Sequence, residues 1–205
     1  GTFSATDSFP ILTIFIKKTE DSGDKIWNGE VASDFAAGSG TRVDPYLIKN
    51  GSELALAISS GGNDAFYKLT GDIYLNDVDK IDWTTGNPIG DYKPNEWFVN
   101  QPFSGSIDGN GYTVFGLYSS WVGDDSNASF GYSGRGLIPR VNDGKSVVIS
   151  KLGVDCAYVR GNNGASAFVG FAGVTYYHTP DTKASVTIDQ CYVGENVLIQ
   201  AHEVG

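Results

Sequence analysis

Phe103-Ser-Gly-Ser-Ile-Asp-Gly-Asn-Gly-Tyr-Thr-Val-Phe-Gly-Leu117 decides how the rest of the chain is read. Two short β-prone runs flank Asp108-Gly-Asn-Gly111, a dense turn signal, and this reads as strand, turn, strand. Upstream, Tyr67-Lys-Leu-Thr-Gly-Asp-Ile-Tyr-Leu75 has the same form about Gly71. Downstream, Val114-Phe-Gly-Leu-Tyr-Ser119 matches Ile149-Ser-Lys-Leu-Gly-Val154, which matches Ile188-Asp-Gln-Cys-Tyr-Val193. The spacing is 35 residues, then 39, with apolar residues at the first and fourth positions. Between the second and third units runs a glycine-punctuated stretch, 161–173. A repeat of this length built from short strands cannot bury its apolar face alone and predicts stacked copies. The expected fold class is all-β: a right-handed parallel β-helix (solenoid) with one short capping helix near residues 52–60.

That helix rests on Ser52 as N-cap, Glu53 in the first turn, good helix formers to Ser60, and Gly61-Gly62 as the stop. No other helix longer than two turns is expected. Residues 1–25 read as an N-terminal strand, linker or cap, and 26–205 as the β-helix module.

Composition agrees with many turns between short strands. Glycine numbers 27, and Phe, Trp and Tyr make up 13% of the 205 residues. The net charge of −10 repels phosphate, which argues against nucleic acid and anionic membrane surfaces. The apolar run Phe9-Pro-Ile-Leu-Thr-Ile-Phe-Ile16 is too short for membrane insertion and lacks the flanks of a signal peptide. Methionine is absent, so Gly1 reads as the remnant of a cleaved tag. The last residues, Glu203-Val-Gly205, read as lying within a strand. The expectation is a fragment, truncated at its C-terminal end and flanked by other modules of a longer chain.

Trp27-Asn-Gly-Glu-Val-Ala-Ser-Asp-Phe35, Gly38-Ser-Gly-Thr-Arg-Val-Asp-Pro-Tyr-Leu-Ile48, the helix Glu53–Ile58, and the 67–75 and 103–114 segments occur in that order. Over residues 27–118 the chain resembles the GLUG-repeat-type surface proteins of gut and rumen bacteria. That resemblance implies an extracellular chain, secreted or attached to the cell surface, with a helix-capped right-handed parallel β-helix. It implies adhesion or carbohydrate contact without established catalytic residues. The second half departs from the Gly-Leu-any-Gly unit: Gly136-Leu-Ile-Pro139 loses the second glycine, and Ala167-Phe-Val-Gly170 keeps only the end.

No nucleophile elbow, phosphate loop, dinucleotide fingerprint or zinc helix is present, and no catalytic residues are assigned. Asp77, Asp79 and Asp82 form an acidic loop that could hold Ca²⁺, although it lacks the glycine and terminal glutamate of a helix-loop-helix calcium site. No other cofactor is implied. Asp124-Asp125 and His178 read as solvated loop residues. Trp83, Tyr92, Trp97 and Trp121 lie in polar, Gly/Pro/Asn-rich stretches outside alternating strands. Aromatic faces in such places stack on sugar rings. The alternative weighed equally is that they fold back over the strands beneath the 76–102 loop. The leading expectation is a non-catalytic module binding a polysaccharide, such as plant cell-wall cellulose, or a cell-surface glycan. The rivals are a structural stalk or protein-adhesion module, and a fragment of a polysaccharide lyase or glycoside hydrolase. Cys156 and Cys191 are expected to be unpaired, with Cys191 a small inward residue aligned with Leu152.

Overall fold

The computed structural model describes residues 25–60, 64–97, 101–120, 134–141, 144–161, 164–173 and 183–201. β1 (Tyr46–Ile48) leads into α1 (Gly51–Ser59), then β2 (Ala65–Leu69) and β3 (Ile73–Tyr74). β4 (Ile81–Asp82) and β5 (Asn87–Pro88) lie in the long loop that follows. Three further passes of the chain carry four strands each. The first holds β6 (Pro102–Phe103), β7 (Gly105–Asp108), β8 (Thr113–Phe115) and β9 (Tyr118–Ser119). The second holds β10 (Ile138–Val141), β11 (Ser146–Ser150), β12 (Gly153–Asp155) and β13 (Ala157–Gly161). The last holds β14 (Val169–Ala172), β15 (Ser185–Asp189), β16 (Tyr192–Val193) and β17 (Val197–Ala201).

Corresponding strands pair side by side in parallel. The sheets are β1-β2-β7-β11-β15, β6-β10-β14, β3-β8-β12-β16 and β9-β13-β17, with β4-β5 a separate antiparallel ladder. The expected right-handed parallel β-helix is therefore corrected. The strands form five separate small sheets and no single closed one, four parallel and one antiparallel, with α1 built into the core in a mixed α/β arrangement. The corners give the physical reason. Asn110, Lys151 and Gln190 hold φ of 54°, 51° and 52°, and Gly116 and Cys156 hold 75° and 50°. These left-handed residues bend the chain out of the ladder, leaving strands two to five residues long.

The repeat also needs one correction. Ile149 pairs with Ile188, as the second and third units predict, but it pairs with Ile107 on its other side. Val114 pairs with Val154 instead. The corner through Asp108-Gly-Asn-Gly111 is two residues longer than its successors, so matching the first unit by its apolar spacing picks the wrong strand.

Inward residues form columns across the passes. Ile107 and Ile149, Val114 and Val154, and Leu117 with Ala157 are all buried in one continuous core. α1 closes the N-terminal end with Leu54, Ala55, Ala57 and Ile58. It is the one α-helix among the described residues and lies where expected. Its cap is Asn50, not Ser52: the Asn50 side chain accepts from the Glu53 N–H at 2.9 Å, and Glu53 Oε2 accepts from the Lys49 N–H at 2.8 Å. Starting two residues earlier puts Gly51 against the Trp27 side chain, where a Cβ would come within 2.4 Å. No helix among the described residues is long and apolar enough to cross a membrane.

Candidate functional site: the aromatic loop and the last strand layer

Residues 76–97 hold most of the residues singled out from the sequence, and one buried side chain fixes the loop. Asn76 donates through Nδ2 to the Asn95 carbonyl at 3.0 Å and the Gly116 carbonyl at 2.8 Å. Its Oδ1 accepts from the Asn95 N–H at 2.7 Å and the Tyr92 hydroxyl at 3.1 Å. Both donors and both lone pairs of the amide are thereby satisfied, as burial demands. Gly116 takes its positive φ against this hub, where a Cβ would meet the Asn76 backbone at 2.6 Å. Asn95 extends the network by donating to the Trp27 carbonyl. Glu96 secures the loop's far end, accepting from the Ser120 N–H at 2.6 Å and its hydroxyl at 3.0 Å.

The aromatic residues face inward. Trp97 is 1% exposed, donates from Nε1 to the Leu137 carbonyl at 3.0 Å, and meets Trp27 edge-on at 5.1 Å. Trp83 is 8% exposed and donates to the Val78 carbonyl at 2.9 Å. It belongs to a second apolar cluster with Ile81 and Tyr158, where the loop lies against the outer side of β13. Gly86, at φ 75°, lets the loop approach the Tyr158 ring, which a Cβ there would meet at 2.5 Å. The Tyr92 hydroxyl accepts from the Asp77 N–H at 3.0 Å, and burial pushes its pKa up. Trp83 and Trp97 are thus buried and Tyr92 half-buried, the arrangement of the fold-back alternative. Polar neighbours in sequence mark a loop, and this loop uses its apolar residues to hold itself down. Trp121 lies outside the described residues, as do Asp124, Asp125 and His178.

In the acidic loop, two of the three aspartates serve the loop's own turns. Asp77 caps the 3-10 turn Val78–Lys80 by accepting from the Asp79 N–H. Asp82 accepts from the Thr84 N–H at 2.9 Å and the Thr84 hydroxyl at 2.6 Å. Those bonds hold its carboxyl below the usual carboxylate range. One oxygen of Asp77 and one of Asp82 are thus turned to the loop's own donors. Among the described residues no three of His, Cys, Asp and Glu come together as a metal-binding group.

Both cysteines are free thiols. Cys156 sits at a left-handed corner against the second cluster, and burial, then the Asp155 and Asp79 carboxylates, push its pKa up to about 12. Cys191 packs against the main core in register with Leu152, with burial raising its pKa as well.

The last described layer, residues 183–201, contains the third repeat unit, Ile188–Val193, and is less covered than the layers before it. Val186, Cys191 and Val197 pack only partly against the core, and Ile188, Val193 and Ile199 are exposed at 50%, 48% and 41%. Their partners one layer back, Ile149, Val154 and Val159, are all 0% exposed. An open groove of about 450 Å³ lies at the same end, lined by Arg160, Ile199, Gln200 and Ala201.

No family model matches the chain, and no solved structure matches it. Over 159 residues, 76% of its length, it is 30% identical to Halomucin of Haloquadratum walsbyi. It spans 2% of that protein's length.

Proposed function

We propose that this chain is a non-catalytic structural module, a stalk or spacer segment, of a long extracellular surface protein of the GLUG-repeat type. The carrying observation is the inward orientation of Trp83 and Trp97, whose indole N–H groups are tied to the Val78 and Leu137 carbonyls. Aromatics used this way hold a loop against stacked strands and leave no indole face for a sugar. Cys156 supports the non-catalytic reading, because a thiol with a pKa near 12 carries almost no thiolate at neutral pH. The similarity to a 2% span of Halomucin supports placement within a much longer chain.

The test is retention of the intact chain on insoluble cellulose, xylan and pectin, each with a non-binding protein as control. A spacer is expected to wash through with the control. Retention that Trp121→Ala removes without a change in melting temperature would overturn the spacer reading and return the chain to carbohydrate binding.

A further inference from the structure

Four asparagines precede a glycine: Asn28, Asn50, Asn110 and Asn163, the last outside the described residues. Such a pair can react with itself, because glycine has no Cβ to keep its backbone nitrogen from the asparagine side chain. The fold treats the three described pairs differently. At Asn110 the attacking nitrogen would be that of Gly111, whose N–H already donates to the Lys151 carbonyl at 2.9 Å. At Asn50 the side-chain oxygen caps α1 through the Glu53 N–H, and Gly51 is buried in the first helical turn against Trp27. Ring closure there would break the cap and pull Gly51 from the helix. At Asn28 neither restraint holds. Asn28, Gly29 and Glu30 are exposed, and the Gly29 N–H has no acceptor among the described residues. Gly29 takes φ 89°, and, its chain neighbours apart, a Cβ there would meet only Asn95 Oδ1, at 3.7 Å. An Asx turn folds the Asn28 carboxamide back over this peptide. Its Oδ1 accepts from the Glu30 N–H at 3.1 Å, and its Nδ2 donates to Glu30 Oε2 at 2.9 Å.

We propose that Asn28-Gly29 is a self-modification site, where the chain deamidates without an enzyme. The Gly29 nitrogen gives up its proton and bonds to Asn28 Cγ. Negative charge developing on Oδ1 faces the Glu30 N–H, a donor already aimed at it. The Cγ–Nδ2 bond then breaks, Nδ2 takes up a proton and leaves as ammonia, and a succinimide remains. Water opens that ring at either carbonyl, giving aspartate or isoaspartate, and nothing is oxidised or reduced. The isoaspartate product runs the backbone through Cβ and so adds one chain atom between Trp27 and Glu30. Those two residues are joined by the bond from Trp27 Nε1 to the Glu30 carbonyl, 2.6 Å long, and Trp27 in turn packs on Trp97. A slow, irreversible reaction at the surface is thereby coupled to the cover of the N-terminal end. This goes beyond the spacer reading and does not depend on it.

Peptide mapping by mass spectrometry, on the intact folded chain warmed at neutral pH, tests this. Asn28 should gain one mass unit at least about tenfold faster than Asn50 or Asn110, the factor set by the hydrogen bond that must first break at each of those. In denaturant the three should react at similar rates, since the restraints on Asn50 and Asn110 are gone. The isoaspartate form, separated by chromatography, should melt below both the fresh chain and Asn28→Asp, which carries the new charge without the extra backbone atom. An Asn28 that stays an amide in the folded chain overturns the proposal, as do equal rates at the three sites before unfolding. An isoaspartate form that melts with Asn28→Asp overturns the coupling to Trp27.

Discussion

The two ends of the described strand stack are made of similar residues and covered to different degrees. At the N-terminal end, α1 lies over the columns, and Leu54, Ala57 and Ile58 are fully buried against them. Trp27 adds a second cover, edge-on to Trp97. At the other end, chemically equivalent β-branched residues occupy the same columns with nothing beyond them among the described residues. The contrast separates what a side chain is from what its position makes it contribute. Burial of apolar area stabilises by roughly 25 cal/mol per Å², so identical residues differ in effect according to the layer above them.

The sharpest break of this comparison uses Trp97, which joins the covered end to the loop. Trp97→Ala removes the contact with Trp27 and the bond to the Leu137 carbonyl. We expect a loss of about 3–5 kcal/mol, the range for truncating a buried large aromatic, read from denaturant midpoints. A loss under about 0.5 kcal/mol, typical of surface sites, would show that the covered end contributes little.

A matched pair in one column isolates position from chemistry. Ile149 and Ile188 are hydrogen-bonding neighbours in register, at 0% and 50% exposure. Ile149→Ala should cost about 2–5 kcal/mol. Ile188→Ala should cost under about 1 kcal/mol in the monomer, because it starts half in water. The measurement is again chemical denaturation. Equal losses would mean that the last layer is covered in solution.

How much of this was legible in the sequence follows from what each signal measures. Short parallel strands, the helix, and the pairing of Ile149 with Ile188 could be read, because turn residues and apolar alternation are local. The pairing of Val114 with Val154 could not. It depends on the number of residues in the Asp108–Gly111 corner, which changes register without changing the apolar pattern. A right-handed parallel β-helix was expected because a repeat shows that strands stack and says nothing of corners interrupting the ladder. Lys151, Cys156 and Gln190 carry no turn signature, yet each takes the left-handed conformation. For Trp83 and Trp97 the polar neighbours left two readings open, stacking on a sugar and folding back over the strands. Yet Asn76 and Asn95, among those neighbours, are the residues that tie the loop down. Nearby polarity cannot distinguish solvation from a satisfied internal network.

The smallest expected effect concerns Cys156, beneath the covering loop, and appears only at high pH. Burial raises its folded-state pKa to about 12, against an ordinary thiol value of 9.0. Below pH 9 the thiol is neutral in both states, and its contribution is fully present. Between pH 9 and 12 the unfolded chain loses this proton while the folded chain keeps it. The unfolded state then binds fewer protons, so unfolding becomes easier as pH rises. Several tyrosines, Tyr67 and Tyr92 among them, also have raised values, so the parent protein loses stability at alkaline pH from more than one source. The difference between parent and Cys156→Ala isolates the thiol. Melting temperature should fall less steeply from pH 9 upward in the variant, and below pH 8 the two curves should run parallel. Since alanine occupies the same left-handed corner, a constant offset between the curves carries no weight. Superimposable slopes above pH 9 would show that water reaches the Cys156 sulfur and that the loop covers this corner less tightly than its buried Trp83 implies.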